Sequence, residues 1–462
     1  MNLNTFHLVS LGCAKNTVDS ESMAQLLRGS GYRLVEDPTR AGILIVNTCG
    51  FIGPARDESL QVLRDLAAQK RKGQILIAAG CLSQRYGADV ARQVKGIDGI
   101  LGTRRWMDIV EVVGRLRKQK HPQPLYHLPE AHTVGADEGG VLRAAVQGAS
   151  AYIKIADGCR RPCAFCAIPL IKGTTVSRPI PAILDEARAL QDLGVRELVL
   201  IAQDTTDFGY DLGLKDGLAQ LLESLVDVAP QIDWIRILYA YPGYVTDRLI
   251  EVMAAHRQIL PYLDIPLQHA HPATLRRMRR PTNLDWVYRT LERMRRVLPG
   301  LALRTTFIVG YPGETEEEFQ ALLDFVRQMR FDRVGTFQFS FESGTASEPL
   351  GDPVPPEVKQ ERYDRLMELQ QGISLEINQA FVGQTLDVLV EGQGGGLSIG
   401  RSYRDAPEID GMVLIQGNVP PGEVVPVRIT GAMTYDLSGV VENDQAWIGR
   451  KNISRASDRL SN

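Results

Sequence analysis

Three cysteines within eight residues are the group in this sequence best suited to chemistry. Cys159, Cys163 and Cys166 follow an apolar run and share a loop with Gly158 and Pro162. Three thiolates at this spacing can hold one corner of a 4Fe–4S cluster. No fourth Cys and no nearby His completes the set, so one iron keeps an open position, whereas a structural zinc ion normally takes four protein ligands. The loop therefore indicates a cluster that binds a small molecule, with a zinc site or a chance grouping as the alternatives.

The other three cysteines each come directly after a short apolar run that is typical of a buried parallel strand. The runs are Phe6–Ser10, Ile43–Asn47 and Ile75–Ala79, and the cysteines that follow them are Cys13, Cys49 and Cys81. Ligands bind at the carboxyl ends of strands in such sheets, so three thiols from distant parts of the chain can converge there. Six cysteines are too few for a disulfide scaffold in a chain of 462 residues. Scattered core cysteines are the alternative interpretation.

The elements around the first trio predict a doubly wound α/β domain over residues 1–120. Helical spacing of apolar residues over Ser20–Arg28 and Ala55–Gln69 alternates with the three strands. A polar stretch rich in His, Pro and Gly follows, and we interpret residues 121–149 as a linker.

Residues 150–375 predict a second, regular alternation of strands and helices. Ala182–Leu193 is one predicted helix, and the capping box of Thr315 and Glu318 begins another. The six predicted strands are Tyr152–Ala156, Glu197–Ala202, Trp234–Leu238, Tyr262–Pro266, Leu303–Val309 and Arg333–Phe339. Six βα units are too few for a closed eight-stranded barrel, so we expect an open (β/α)6 barrel whose active face is again the carboxyl ends of its strands.

The last part of the chain changes to short strands separated by Gly and Pro. After a charged helix over Pro356–Asn378, residues 376–445 predict a small β-barrel. Its predicted strands are Phe381–Glu391, Gly411–Gln416 and Gly422–Thr430. Residues 446–462 form a polar tail.

The composition is that of a globular protein, with 44% hydrophobic and 23% charged residues. No apolar run is long enough to cross a bilayer, and no targeting segment is apparent, so we expect a cytoplasmic protein with no membrane partner. A net charge of −3 gives no general attraction to nucleic acid.

The Cys-x-x-x-Cys-x-x-Cys spacing, with Phe165 just before the last cysteine, resembles the signature of the radical-SAM superfamily. The resemblance implies that the open iron binds S-adenosylmethionine, whose reductive cleavage gives a 5′-deoxyadenosyl radical. Residues near the loop or near strand ends are candidate cofactor contacts: Phe165, Arg178, Gln203, Asp204, Gly310 and Glu314. Gly310 and Glu314 belong to the turn Thr306–Glu314, for which a plain βα turn is an equal alternative. We assign no catalytic residue.

The two cysteine trios and the small barrel together resemble the methylthiotransferase family, which has a cluster domain, a radical-SAM barrel and a TRAM domain. The shared motifs are Gly12-Cys13 with Lys15-Asn16 and Asp19-Ser20-Glu21, Val46-Asn47-Thr48-Cys49, Ala79-Gly80-Cys81, the Cys159 loop and Tyr435-Asp436-Leu437. The resemblance implies two 4Fe–4S clusters, one on Cys13, Cys49 and Cys81 and one with S-adenosylmethionine on Cys159, Cys163 and Cys166. It also implies insertion of sulfur followed by methylation, a reductant protein and a sulfur donor.

Charge separates the possible substrates of this family, adenosine in tRNA or a ribosomal protein. Residues 376–445 contain ten acidic and three basic side chains, a net charge of −7, which suits a basic protein better than RNA. An ordinary solvated acidic face is the alternative. The segments Gly12–Asn16, Tyr239–Pro242 and Asp264–His269 look like the branch that methylthiolates the β-carbon of an aspartate in small-subunit ribosomal protein twelve. A tRNA methylthiotransferase is the second hypothesis, and a non-catalytic iron–sulfur protein that binds ribosomes or carries electrons is the third.

Two further groups of residues stay ambiguous in the sequence. The basic patch of Arg276, Arg277, Arg279 and Arg280 could bind RNA phosphates or the target aspartate, or be a solvated helix end. His269 and His271 could act as acid and base, but we expect them to be structural.

Overall fold

The computed structural model describes residues 3–118, 123–134 and 140–442. Asp444 and the predicted polar tail, residues 446–462, lie outside the described residues. No helix among the described residues is long and apolar enough to span a membrane.

The N-terminal part is a sheet of six parallel strands with helices on both faces, as the sequence predicts. Its strands are β1 (Thr5–Ser10), β2 (Arg33–Leu34), β3 (Ile43–Thr48), β4 (Ile75–Gly80), β5 (Gly99–Gly102) and β6 (Leu125–His127), in the order β2-β1-β3-β4-β5-β6. Its helices are α1 (Ala14–Gly29), α2 (Gly53–Gln69), α3 (Cys81–Gln93) and α4 (Ile109–Lys118). Every residue of β3 is buried, which explains the uninterrupted apolar run over residues 43–46. Separate apolar clusters cover the two faces of the sheet.

The middle part is an open sheet of seven strands, six of them parallel, and all six predicted strands are present. The strands are β7 (Ala144–Gln147), β8 (Ser150–Lys154), β11 (Glu197–Ile201), β12 (Trp234–Ile237), β13 (Ile259–Asp264), β14 (Ala302–Val309) and β15 (Arg333–Gln338), and a short antiparallel pair, β9 (Ala156–Asp157) and β10 (Val176–Ser177), lies beside them. The helices are α5 (Ile168–Lys172), α6 (Ile180–Asp192), α7 (Gly217–Val228), α8 (Asp247–Ala255), α9 (Pro272–Arg277), α10 (Leu284–Val297) and α11 (Glu316–Met329). The predicted capping box on α11 is formed by Thr315 and Glu318.

The stretch interpreted as a linker is not simply a connection between two sheets. Within residues 121–149, β6 joins the edge of the N-terminal sheet and β7 pairs antiparallel with β8. Both are short edge strands in a polar, Gly-rich context, and pairing with a neighbouring strand, rather than their own apolar pattern, defines them.

The C-terminal part is a closed barrel of five strands that follows the long helix α12 (Pro356–Gln379). Its strands are β16 (Thr385–Gly394), β17 (Leu397–Ser402), β18 (Val413–Gln416), β19 (Val424–Ala432) and β20 (Leu437–Val441). The sequence predicts three of these strands. It gives no bounds for the other two, β17 and β20; before β17, the glycines at 394–396 make a tight hairpin look like an irregular loop.

The small barrel attaches to the amino ends of the open barrel's strands through residues 401–410, which we call the docking loop. Arg401 and Arg236 both bind Glu197, the first residue of β11, with N–O distances of 2.6 and 2.7 Å. At the other side of the sheet Arg333, the first residue of β15, lies 2.6 Å from Asp405. The C-terminal barrel thus covers the end of the sheet opposite to the carboxyl ends of its strands.

Candidate thiol sites at the strand ends

The first three cysteines occupy neighbouring strand ends, because β1, β3 and β4 are adjacent in the N-terminal sheet. Cys13 precedes the first turn of α1, Cys49 follows β3 directly and Cys81 is the first residue of α3. Cys49 and Cys81 are buried, whereas Cys13 is exposed. The site therefore has one open side, next to Cys13.

Two glycines let the three cysteine loops approach one another. Gly12 has φ of +92°, and a Cβ on it would lie 2.8 Å from the Cβ of Cys49. Gly80 has φ of +95°, and a Cβ there would lie 2.3 Å from Oδ1 of Asn47. Because both the backbone conformation and the lack of space favour glycine, these positions define the distance between the thiol-bearing loops.

Asn16 joins the three loops through its side chain. Its Nδ2 group donates to the carbonyl oxygens of Leu11 at 2.9 Å and Thr48 at 3.1 Å, and its Oδ1 atom accepts from the Cys81 thiol at 3.7 Å. Asn47 donates in turn to the backbone oxygen of Asn16 at 2.9 Å. The sequence motifs contain both asparagines, but their role in positioning the thiols follows only from the structure.

The electrostatics of these thiols fit a cationic iron cluster. Burial raises the pKa of Cys81 to about 12 and also raises the pKa of Cys49. A metal must displace the thiol protons when it binds, so iron would supply the positive charge that stabilises the thiolates. Among the described residues no three His, Cys, Asp or Glu side chains are grouped around a single metal-ion position.

The second trio lies on the loop that connects β9 to α5. The Cys159 N–H donates to the carbonyl oxygen of Gly173 at 3.0 Å, and the Ala164 N–H donates to that of Met278 at 2.9 Å. Burial raises the pKa of Cys159 to about 11 and that of Cys166 to about 12. Cys159 and Cys166, like Cys49 and Cys81, therefore need a bound cation to become thiolates.

Ion pairs hold this loop against the end of β11. Arg161 Nε lies 2.6 Å from Asp204 Oδ2, and Arg160 lies 2.6 Å from Asp207. Asp204 is therefore occupied by the loop itself. On the other side Arg280 donates to the Cys163 sulfur at 3.5 Å.

Gln203 is the predicted cofactor contact that keeps an available polar atom. It lies two residues after the end of β11, and its buried Oε1 atom has no hydrogen-bond partner among the described residues. A buried acceptor without a partner costs free energy, so a bound molecule that donates a hydrogen bond would stabilise it.

The other predicted contacts have protein partners in the structure. The Glu314 carboxylate accepts from the Gly310 N–H at 2.6 Å, from Arg362 at 2.6 Å and from His269 at 3.0 Å, which favours the plain-turn interpretation. Arg178 binds Glu186 at 2.8 Å. Phe165 packs beside an apolar cluster of Met278, Tyr311 and Phe339. Cofactor contact by Phe165, Arg178, Gly310 and Glu314 stays a prediction.

Two arginines of the basic patch at residues 276–280 contact other protein groups, and the other two are exposed. Arg277 binds Glu318 and Arg280 faces the Cys163 loop, whereas Arg276 and Arg279 are exposed. His271 accepts from the backbone of Ala273 and caps α9. Both histidines thus have structural contacts.

A buried charge cluster connects the two thiol sites, and the sequence did not predict it. Asp19 of α1 and Asp157, two residues before Cys159, share three cations. Lys172 Nζ lies 3.2 Å from Asp19 and 2.9 Å from Asp157. Lys154 pairs with both carboxylates, and Arg143 lies 3.0 Å from each. Next to this cluster, Cys81 packs against Ala167 and Ile171, so the two thiol loops are in direct contact.

Three family descriptions match successive parts of the chain. Residues 5–102 match the Uncharacterized protein family UPF0004, residues 153–326 match the Radical SAM superfamily and residues 382–441 match the TRAM domain. The three matches follow one another along the chain, and each falls within one of the three parts of the fold.

Several relatives resemble the chain along nearly its whole length. A protein named ribosomal protein uS12 methylthiotransferase RimO from Chloroflexus aurantiacus is 50% identical over 450 residues, which is 94% of this chain and 99% of that protein. Its namesakes from Roseiflexus sp. and Symbiobacterium thermophilum are 47% identical, over 94% and 93% of this chain and over 96% and 90% of their own lengths. Among solved structures, the radical S-adenosylmethionine methyltransferase TsrM from Kitasatospora setae, with cobalamin and a 4Fe–4S cluster bound, has a TM-score of 0.54 and 14% identity, over 86% of this chain and 77% of its own. That likeness concerns the fold alone.

Proposed function

The chain belongs to the family of ribosomal protein uS12 methylthiotransferases, and we propose that it adds a methylthio group to the β-carbon of an aspartate in that ribosomal protein. The observation that carries the proposal is the apolar cluster that Cys81 forms with Ala167, the residue next to Cys166, and with Ile171. It packs a cysteine of the first trio against the segment that follows the second trio, as expected when both sites act on one substrate carbon.

We propose that Cys13, Cys49 and Cys81 hold one 4Fe–4S cluster and that Cys159, Cys163 and Cys166 hold another with S-adenosylmethionine. When bound, the second cluster and S-adenosylmethionine supply the one-electron chemistry that removes hydrogen from an unactivated carbon, and the first supplies the sulfur. The chain itself positions the thiols: Asn16 sets the spacing of the first trio, and Asp204 and Asp207 fix the loop of the second. Gln203 offers a buried acceptor to the bound cofactor.

The surface of the small barrel supports a basic protein as the substrate. Two of its three arginines, Arg401 and Arg404, are buried in contacts of the docking loop, so only Arg428 is left exposed among the described residues. Asp387, Glu391 and Glu408 are exposed. A surface of this charge repels RNA phosphates and attracts a basic protein. Because its proposed substrate is a ribosomal protein, we propose that the enzyme acts in the cytoplasm. A reductant protein and a sulfur donor would supply its electrons and its sulfur there.

The test is an anaerobic reaction of the reconstituted protein with S-adenosylmethionine, dithionite and sulfide. Purified uS12 and undermodified tRNA are supplied separately, and mass spectrometry reads both. We expect one S-methyl group in place of one hydrogen on an aspartate of uS12, and no change in tRNA. Modification of tRNA alone would overturn the proposed substrate.

Two cysteine variants separate the roles of the two sites. Cys166→Ser removes a ligand of the site proposed to bind S-adenosylmethionine, so formation of 5′-deoxyadenosine should stop. Cys81→Ser removes a ligand of the other site, so 5′-deoxyadenosine should still form while no methylthio group is added. Equal loss of 5′-deoxyadenosine in both variants would contradict this division.

A further inference from the structure

Lys15 stands at the junction of the two thiol sites. It is the second residue of α1, two residues after Cys13. Its ammonium lies 3.2 Å from the centroid of the Tyr239 ring, and Tyr239 follows β12 by two residues at the carboxyl end of the open barrel. The side chain therefore extends from the first thiol site toward the active face of the second sheet.

The backbone holds Tyr239 firmly in this position. Tyr239 has φ of +63°, a conformation that is unfavourable for a residue with a side chain. Its carbonyl oxygen accepts from the Thr205 N–H at 3.0 Å, and its N–H donates to Asp264 Oδ2 at 3.4 Å. Strain kept in place by such contacts is characteristic of functional positions.

The Lys15 ammonium has no carboxylate partner among the described residues, and the anion-forming group that it acts on is the Cys13 thiol. The residue is 9% exposed, and no carboxylate among the described residues forms an ion pair or hydrogen bond with its Nζ atom. Lys154 and Lys172, by contrast, each bind two carboxylates. A buried charge that no carboxylate pairs is costly, and the Tyr239 ring offsets only part of that cost.

The proposed reaction brings a carboxylate to this place. The β-carbon of the target aspartate carries the carboxylate directly, so the carboxylate lies one bond from the reacting atom. That carbon must reach both thiol sites, and Lys15 lies between Cys13 and the open barrel.

We propose that Lys15 binds the side-chain carboxylate of the target aspartate and so selects an acidic residue as substrate. This inference rests on the proposed function. The ammonium would donate charge-assisted hydrogen bonds to the carboxylate, with the Tyr239 ring on its other side.

The test is a binding cycle that uses the reconstituted enzyme with S-adenosylmethionine and without reductant. The ligands are uS12 and a uS12 variant in which the modified aspartate is asparagine, and the enzymes are wild type, Lys15→Gln and Lys15→Arg. We expect wild type to bind the aspartate form about ten-fold more tightly than the asparagine form, which corresponds to one hydrogen bond to a charged group. Lys15→Gln should bind both forms equally weakly, and Lys15→Arg should retain part of the preference.

Lys118→Gln is the matched control, because it removes the same charge from an exposed position at the end of α4. Iron content and the electron paramagnetic resonance spectra of the clusters should be unchanged in all variants. An unchanged preference in Lys15→Gln would overturn the inference, as would altered cluster spectra with full affinity for uS12. If wild type does not bind uS12 at all, the proposed function itself fails.

Discussion

Asn16 is the single side chain on which the spacing of the first thiol site depends most. It contacts the Cys13 loop through Leu11, the end of β3 through Thr48 and the thiol of Cys81. No other side chain among the described residues hydrogen-bonds to all three of these loops. The role of Asn16 is therefore to hold thiols that are far apart in the sequence.

Asn16→Ala should lower the free energy of unfolding by about 2 kcal/mol, because it removes the hydrogen bonds to the Leu11 and Thr48 carbonyl oxygens. It should also lower the iron content by about half, since only the first site depends on it. Chemical denaturation and iron analysis measure the two effects. Asn283→Ala is the control: it removes the N-cap of α10 and should cost about 1 kcal/mol with no loss of iron. Full iron content in Asn16→Ala would contradict the assignment.

At the scale of elements, the spacing of the thiol-bearing loops depends on the glycines at the ends of β1 and β4 more than on the strands themselves. Gly80→Ala should destabilise the N-terminal sheet, because the new Cβ would lie 2.3 Å from Asn47 Oδ1 and 2.6 Å from the Thr48 carbonyl oxygen. We expect a loss of about 3 kcal/mol, from strain and displaced neighbours together. Thermal unfolding of the protein measures it.

Gly31→Ala isolates the part of this effect that comes from the backbone alone. Gly31 has φ of +86°, and its Cβ would meet nothing within 4 Å. It should therefore cost only about 1 kcal/mol. If the two variants unfold at the same temperature, close packing at Gly80 is not what selects glycine there.

The sequence predicts those elements whose own pattern defines them. β3 begins with an uninterrupted apolar run over residues 43–46, and Thr315 with Glu318 marks the start of α11, so both appear in the sequence and in the structure. β6, β7 and β17 are short, polar or flanked by glycines, and their pairing partners are set by the fold. Local propensity is too weak to define such strands.

The candidate site also contains residues that the sequence predicts and contacts that only the fold defines. The cysteines could be placed in the sequence because each follows a recognisable strand or belongs to a compact motif. The contact of Cys81 with Ala167 and the pairing of Asp19 with Lys172 could not, because they depend on how two sheets pack. Glu314 shows the opposite case. The Gly-rich turn predicts a cofactor contact, but the Glu314 carboxylate accepts a hydrogen bond from the Gly310 N–H of the same turn.

At the scale of the whole molecule, one buried carboxylate connects the open barrel to the C-terminal barrel. Burial alone would raise the pKa of Glu197, but Arg401 and Arg236 lower it from 4.5 to about 2. A carboxyl whose folded pKa is lowered contributes stability above its unfolded pKa, and that stability is lost as the pH falls toward the folded value.

The contribution of Glu197 should therefore be complete above about pH 4.5 and lost by about pH 2, with a magnitude of about 3 kcal/mol. The stability of the wild-type protein should fall over this range, measured by denaturation at a series of pH values. Glu197→Gln should be less stable at neutral pH and lose less on acidification. A parallel decline in the two proteins would show that Glu197 does not contribute.

The buried charge cluster also affects how the chain must be made. Asp19 leaves the ribosome well before its partners, because Lys154 follows it by 135 residues and Lys172 by 153. At about 5–20 residues per second, Asp19 waits on the order of ten seconds for its first lysine. Until its cations are made, the carboxylate stays in water, because burying it alone would cost several kcal/mol. The charge cluster between the two thiol sites can therefore form only after the first strands of the open barrel have been made.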